Sequence, residues 1–140
     1  VELKDIIKEH LEAKGIKVED VGVMTTEDQT YYPLVAEKLC GEVQASNFEK
    51  RGILICGTGI GMAMTANKCK GIRAAVCHDN FSAERSVLSN NGNVLCMGAR
   101  VIGKELAKKI VDEWVTLEFK DGSSTPKVDA IIDIENKNFK

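Results

Sequence analysis

A short apolar run enclosed by glycines constrains the fold of this chain most strongly. Residues 53–56 read Ile-Leu-Ile-Cys and lie between Gly52 and Gly57, so the run is too short for a buried helix. Such a run is typical of a strand covered on both faces, as in a parallel sheet. The apolar pattern that resumes at 60–68 predicts that the chain passes through a glycine loop directly into a helix.

Strands and helices are predicted to alternate along the rest of the chain. Strands are expected at 16–21, 53–56, 72–77 and 94–97. Helices are expected at 3–14, 60–68 and 80–89. Three further helices are expected to begin at Pro33, to end near Phe119, and to begin at Thr125. This order predicts an α/β fold with a doubly wound, mostly parallel sheet and helices on both faces. The length of 140 residues suits one domain spanning 1–140.

Composition argues against several classes of partner. The 19 basic and 21 acidic residues are interspersed, which argues against nucleic acid binding. No apolar run approaches the roughly 18 residues of a membrane span. The five cysteines include no C-x-x-C pair or zinc-like cluster, so we expect reduced thiols, a cytoplasmic location, and neither metal nor cofactor.

Ligands of open parallel sheets bind beyond the carboxyl ends of the strands, which singles out 56–61, 78–80 and 98–100. The loop Cys-Gly-Thr-Gly-Ile-Gly at 56–61 can point several backbone N–H groups at one anion. Its glycines also suit a tight turn without any ligand. The spacing is neither a dinucleotide-binding fingerprint nor a P-loop.

Each polar or reactive side chain at these strand ends has two interpretations. Cys56 is either a thiolate stabilised by the loop or a small buried hydrophobe, the interpretation preferred for the other four cysteines. Arg100 is either a phosphate clamp or a surface arginine. His78 and Asp79 either face a ligand or, for Asp79, cap the following helix.

Four segments together resemble the type B ribose-5-phosphate isomerase and galactose-6-phosphate isomerase family. They are Gly52-Ile-Leu-Ile-Cys-Gly-Thr-Gly-Ile-Gly61, the pair Ala66-Asn-Lys68 and Gly71-Ile-Arg-Ala-Ala75, and Gly98-Ala-Arg-Val-Ile-Gly103. The resemblance implies a Rossmann-like fold and a metal-independent aldose–ketose isomerase of a phosphorylated sugar. It also implies a dimer or tetramer with active sites shared between subunits.

By this resemblance, Cys56 is the base that moves a proton between C1 and C2 through a cis-enediolate. The family's alternative base, a Glu six residues later, is Met62 here. The remaining roles also come from the resemblance: Thr58 and the N–H groups of Gly57, Gly59 and Gly61 stabilise the enediolate oxygen, Asn90 contacts substrate, and Arg100 binds phosphate.

The sequence departs from the family pattern in three places. The family's opening strand and its Asp-His pair would precede Val1, and we expect them in the gene product. The ring-opening His is Ser89 here. In the C-terminal Gly-Gly-Arg-His-x-x-Arg pattern, the two arginines are Ser123 and Lys127 and the His is Ser124, which leaves Lys127 as a point charge for phosphate.

These departures keep four functions open. Ribose 5-phosphate is the main substrate hypothesis, with His78 as a candidate replacement for the missing ring opener. A tetrose 4-phosphate cannot close a furanose ring and needs no ring opener, so a tetrulose-4-phosphate isomerase is an alternative, as is a galactose-6-phosphate isomerase. The rival of another class is a non-catalytic sugar-phosphate-binding module.

Overall fold

The centre of the fold is a three-stranded parallel sheet with the order β1-β3-β2. This computed structural model describes residues 2–22 and 31–139. The strands are β1 (Gly52–Cys56), β2 (Ala74–Val76) and β3 (Val94–Gly98). The helices are α1 (Glu2–Ala13), α2 (Tyr32–Ala45), α3 (Ile60–Ala66), α4 (Asn80–Leu88), α5 (Lys104–Trp114) and α6 (Thr125–Asn138). The predicted α/β class and parallel sheet are confirmed.

The central strand β3 divides the core into two layers because its side chains alternate between the two faces of the sheet. Leu95 and Met97 pack with apolar residues of α1, α4 and α5 on one face. Val94 and Cys96 pack with apolar residues of α2 and α3 on the other. All five residues of β3 are buried, as expected for a strand between two helical layers.

The prediction of a strand at 16–21 is wrong. Ile16 and Val18 pack against the core, but no residue from 16 to 22 is in a strand. The edge of β1 that faces away from β3 has no strand partner among the described residues. This segment and β1 both line a cavity of about 810 Å³.

Two predicted elements are shorter in the structure because side chains bind the backbone at their ends. Helix α5 stops at Trp114 rather than near Phe119. At its end, the guanidinium of Arg51 donates to the carbonyls of residues 114, 115 and 117 at 2.7–3.2 Å. Strand β2 begins at Ala74 rather than 72, because the N–H of Arg73 donates to the side chain of Asn93 at 2.7 Å.

Two of the helix-end predictions are confirmed and one shifts by a residue. Gly15 has φ +82° after α1, the left-handed conformation that favours glycine. Asp79 caps α4 and accepts a hydrogen bond from the N–H of Ser82. The cap of α6 is Ser124 rather than Thr125, and of the stripe expected on α6 only Val128 is buried. No helix within 2–22 and 31–139 has the length and hydrophobicity to cross a membrane.

Candidate active site

The loop at 56–61 is pressed against the carboxyl end of β3. A Cβ atom on Gly98 would lie 2.6 Å from the Cα of Thr58, and one on Gly59 would lie 3.0 Å from the carbonyl carbon of Met97. Gly59 also has φ +81°. Glycine at these two positions is therefore required by the packing of loop on strand, whether or not a ligand binds.

Two backbone hydrogen bonds fix the loop to the turn that follows β3. The N–H of Ala99 donates to the carbonyl of Cys56 at 2.7 Å, and the N–H of Arg100 donates to the carbonyl of Gly57 at 3.0 Å. The predicted neighbours 56–61 and 98–100 thus form one structural unit at the sheet edge.

Cys56 lies at one end of a cavity that runs along the open edge of β1. It is half-buried and lines the cavity of about 810 Å³ together with Met62 and Tyr32. Its Sγ accepts a hydrogen bond from the N–H of Gly59 at 3.1 Å. An amide donor at this distance stabilises a thiolate more than a thiol, because the bond becomes charge-assisted.

Three other cysteines are held as thiols by their surroundings. Burial, together with neighbouring Cys69, raises the pKa of Cys40 to about 12. Burial, with a smaller effect of Cys56, raises the pKa of Cys96 to about 12, and burial also raises the pKa of Cys77. These cysteines are buried hydrophobes as predicted, whereas Cys69 is only half-buried.

Thr58 is exposed on the loop, and the neighbouring Gly57 is half-buried. The Thr58 Oγ1 accepts a hydrogen bond from the N–H of Ile60 at 3.3 Å, at the start of α3. A Cβ on Gly57 would meet only Arg100, whose Cδ and Nε lie 3.6 and 3.7 Å away. The exposed Arg100 therefore lies against the loop, with its Nε close to Gly57, and its phosphate role stays a prediction.

His78 also belongs to this edge, in a way that the sequence did not indicate. Its Nε2 accepts a hydrogen bond from the N–H of Gly98 at 2.8 Å. The neighbouring Asp79 is fully engaged as a helix cap, since its carboxylate accepts from the N–H and the hydroxyl of Ser82 at 2.7 and 2.8 Å. These hydrogen bonds from Ser82 hold the pKa of Asp79 below its usual range.

Asn90 and Lys127 are not beside Cys56 within this chain. Asn90 lines a second groove, of about 680 Å³, formed by β2, α4 and α6. Lys127 is exposed in the first turn of α6 and lines neither cavity. Ser89, at the position of the family's ring-opening His, accepts a hydrogen bond from Arg85 at 3.1 Å.

Tyr32 is a residue of this site that the sequence reasoning missed. A Cβ on Gly61 would lie 2.5 Å from both Cε1 and Oη of Tyr32, so the ring rests on the backbone of α3. The phenol is about half exposed and lines the same cavity as Cys56. The sequence shows an aromatic residue just before Pro33, at the start of a helix. The residues around it do not indicate which other helix its side chain contacts.

The side chains of the described ranges form no cluster of three or more His, Cys, Asp or Glu residues suited to a metal ion. Several of the charged groups that line the larger cavity are paired with one another. Lys4 and Lys8 lie 2.9 and 3.9 Å from the Asp20 carboxylate. Burial alone would raise the pKa of Asp20, but hydrogen bonds from Lys4 and the N–H of Gly22 outweigh it and the pKa is lowered.

Comparison with known proteins identifies similar sequences over nearly the whole chain. The sequence profile of the Ribose/Galactose Isomerase family matches residues 1–131. A D-erythrulose-4-phosphate isomerase of Pectobacterium atrosepticum is 48% identical over 131 residues, covering 94% of this chain and 86% of the relative. The Ribose-5-P isomerase B of Listeria innocua is 47% identical over 137 residues, covering 98% and 91%.

The fold is also similar to a solved structure that contains a sugar phosphate. The ribose-5-phosphate isomerase B of Mycoplasma genitalium with bound ribulose-5-phosphate superposes with a TM-score of 0.92 at 36% identity. The match covers 99% of this chain and 91% of that one.

The contact between Tyr32 and Gly61 leads to a test of the site's packing. Gly61→Ala should displace the Tyr32 ring from α3, because the new Cβ takes its place, and the nuclear Overhauser effects between the ring and residue 61 should disappear. The matched variant Gly57→Ala adds a Cβ at ordinary contact distance and should retain them. Persistence of the ring contacts in Gly61→Ala would contradict this arrangement.

Proposed function

The chain belongs to the ribose/galactose isomerase family, and from this premise we propose that it interconverts ribose 5-phosphate and ribulose 5-phosphate. It is an aldose–ketose isomerase of a sugar phosphate. The observation that carries our assignment of its chemistry is the half-buried Cys56 thiol, which faces a cavity and accepts an amide hydrogen bond. A role in pentose phosphate metabolism follows from this reaction.

The proposed base is Cys56. In the forward direction its thiolate removes the proton from C2 of the aldose, the electrons of that C–H bond form the C1–C2 double bond, and the carbonyl oxygen O1 gains a negative charge. The thiol then returns the proton to C1, while the hydrogen on O2 is transferred to O1. Met62 has no proton-accepting group, so Cys56 is the base that this loop offers.

The backbone around Cys56 supports this assignment. The N–H of Gly59, which was expected to bind the enediolate oxygen, instead donates to the sulfur. Thr58 and the amides of Gly57 and Gly61 are assigned to the enediolate oxygen, and such donors each contribute about 3 kcal/mol in comparable sites. Because the loop is already fixed to β3, little reorganisation is needed when charge develops.

The phosphate is assigned to Arg100. Its side chain lies against Gly57, so an anion bound there would be close to the reacting carbons. Lys127 is the second proposed cation, and its exposed place on α6 requires that it serve the site of another subunit.

We propose a homodimer, or a tetramer built from such dimers, with active sites shared between subunits. Asn90 and Cys56 line different cavities of one chain. If both contact one substrate, they must come from two copies. The unpaired cysteines support a reducing, cytoplasmic location.

Isomerisation of D-erythrulose 4-phosphate is the second candidate. Ser89 cannot act as the acid–base group that opens a furanose ring, and its hydroxyl is engaged with Arg85. A tetrose 4-phosphate has no free O4 with which to close such a ring. The relative from Pectobacterium that bears this name supports the candidate.

Replacement of the proposed base separates an isomerase from a sugar-phosphate-binding module. Cys56→Ala should lower deuterium incorporation at C2 of ribose 5-phosphate by at least about 100-fold, the usual range for a lost general base, while the variant still binds the sugar phosphate. Cys69→Ala, at a half-buried thiol outside the loop, should exchange like the wild type. A wild type that binds substrate without any exchange would favour the binding module.

The substrate is decided by comparing kcat/KM for ribose 5-phosphate and for D-erythrose 4-phosphate. Our proposal expects the pentose to be preferred. Preference for the tetrose would instead establish the second candidate, because an open-chain substrate does not need the histidine that Ser89 replaces.

Shared sites predict complementation between two inactive variants. Cys56→Ala and Asn90→Ala should each be impaired alone, and after mixing, denaturation and reassociation about a quarter of wild-type activity should return, since half the dimers then contain one intact site of two. The control is each variant reassociated with itself. Absence of recovery in reassociated heterodimers would place both residues in one subunit's site.

A further inference from the structure

We propose that His78 is a positioning residue, which as a neutral imidazole holds the turn beneath the catalytic loop, and that it is not the group that opens a sugar ring. This inference rests on the proposed function and deepens it. It replaces the earlier hypothesis that His78 substitutes for the missing ring-opening histidine.

The direction of one hydrogen bond defines the protonation of the ring. A backbone N–H can only donate, so the Nε2 of His78, 2.8 Å from the nitrogen of Gly98, must be the acceptor. Nε2 is then unprotonated, and in the neutral ring the proton is on Nδ1.

The imidazole takes the place of a strand carbonyl at the end of the sheet. The pairing of β2 with β3 ends at Val76 opposite Cys96, whereas β3 continues to Gly98 and there pairs only with β1. An N–H at a buried residue is costly if it has no acceptor, and Gly98 is buried. His78 supplies that acceptor.

From Gly98 the effect reaches the catalytic loop through two short connections. The next two residues, Ala99 and Arg100, donate to the carbonyls of Cys56 and Gly57 at 2.7 and 3.0 Å. Gly98 itself lies under Thr58. A shift of Gly98 would therefore move the base, the loop and the proposed phosphate-binding arginine together.

The same bond argues against ring opening by Nε2. An acid–base group must gain and lose a proton, and protonation of Nε2 would break its bond to Gly98. The adjacent carboxylate of Asp79 offers no relay, because both of its oxygens already bind Ser82 at the start of α4. A positioning role instead affects cyclic and open-chain substrates alike.

Two variants of similar size separate these roles. His78→Gln keeps a side-chain oxygen that can accept from Gly98, whereas His78→Leu has no acceptor. His78→Leu should raise KM and lower kcat, with kcat/KM falling about tenfold for ribose 5-phosphate and D-erythrose 4-phosphate equally, as expected for one lost hydrogen bond. His78→Gln should recover most of that loss on both substrates. If kcat/KM falls in both variants for ribose 5-phosphate but not for D-erythrose 4-phosphate, His78 opens the sugar ring. If kcat/KM of His78→Leu is unchanged, His78 has no role.

A measurement independent of turnover keeps the inference separate from the proposed function. The chain has two histidines, so nitrogen NMR of the wild type and of His78→Gln assigns the ring of His78 by difference. The expected result is a protonated Nδ1, an unprotonated Nε2, and a scalar coupling between Nε2 and the N–H of Gly98. A proton on Nε2 at neutral pH would overturn the inference even in an active isomerase, whereas an inactive wild type with the expected tautomer would refute only the proposed function.

Discussion

The close contact between the loop at 56–61 and the end of β3 determines the geometry of the site. Because neither Gly59 nor Gly98 has a side chain, the two backbones approach closely enough for hydrogen bonds from residues 99 and 100 to reach the loop. The buried strand β3 is packed by both core layers, so it is a rigid support. The position of the Cys56 sulfur is therefore set by the sheet.

Local sequence patterns predicted where helices and strands lie better than they predicted which of these elements contact one another. The strand at 53–56 and the caps at Gly15 and Asp79 could be inferred because each depends on neighbouring residues. The strand at 16–21 has the right composition, but a strand requires a backbone partner, which composition does not reveal. Tyr32 on Gly61 and His78 on Gly98 are contacts between distant elements, and nothing in the local sequence indicates them.

The glycines of the loop do not share one function, which explains why their pattern was ambiguous. Gly59 is required by its positive φ and by β3, and Gly61 by the ring of Tyr32. Gly57 alone has room for a Cβ at ordinary contact distance. Packing within the chain does not explain why position 57 lacks a side chain. Under our proposal, the substrate needs the space at Gly57.

The departures from the family pattern lie apart from the proton-transfer loop. Ser89 follows α4, and residues 123 and 124 precede α6, whereas the loop itself is anchored on β1 and β3. These three positions can therefore change without disturbing the loop that carries Cys56.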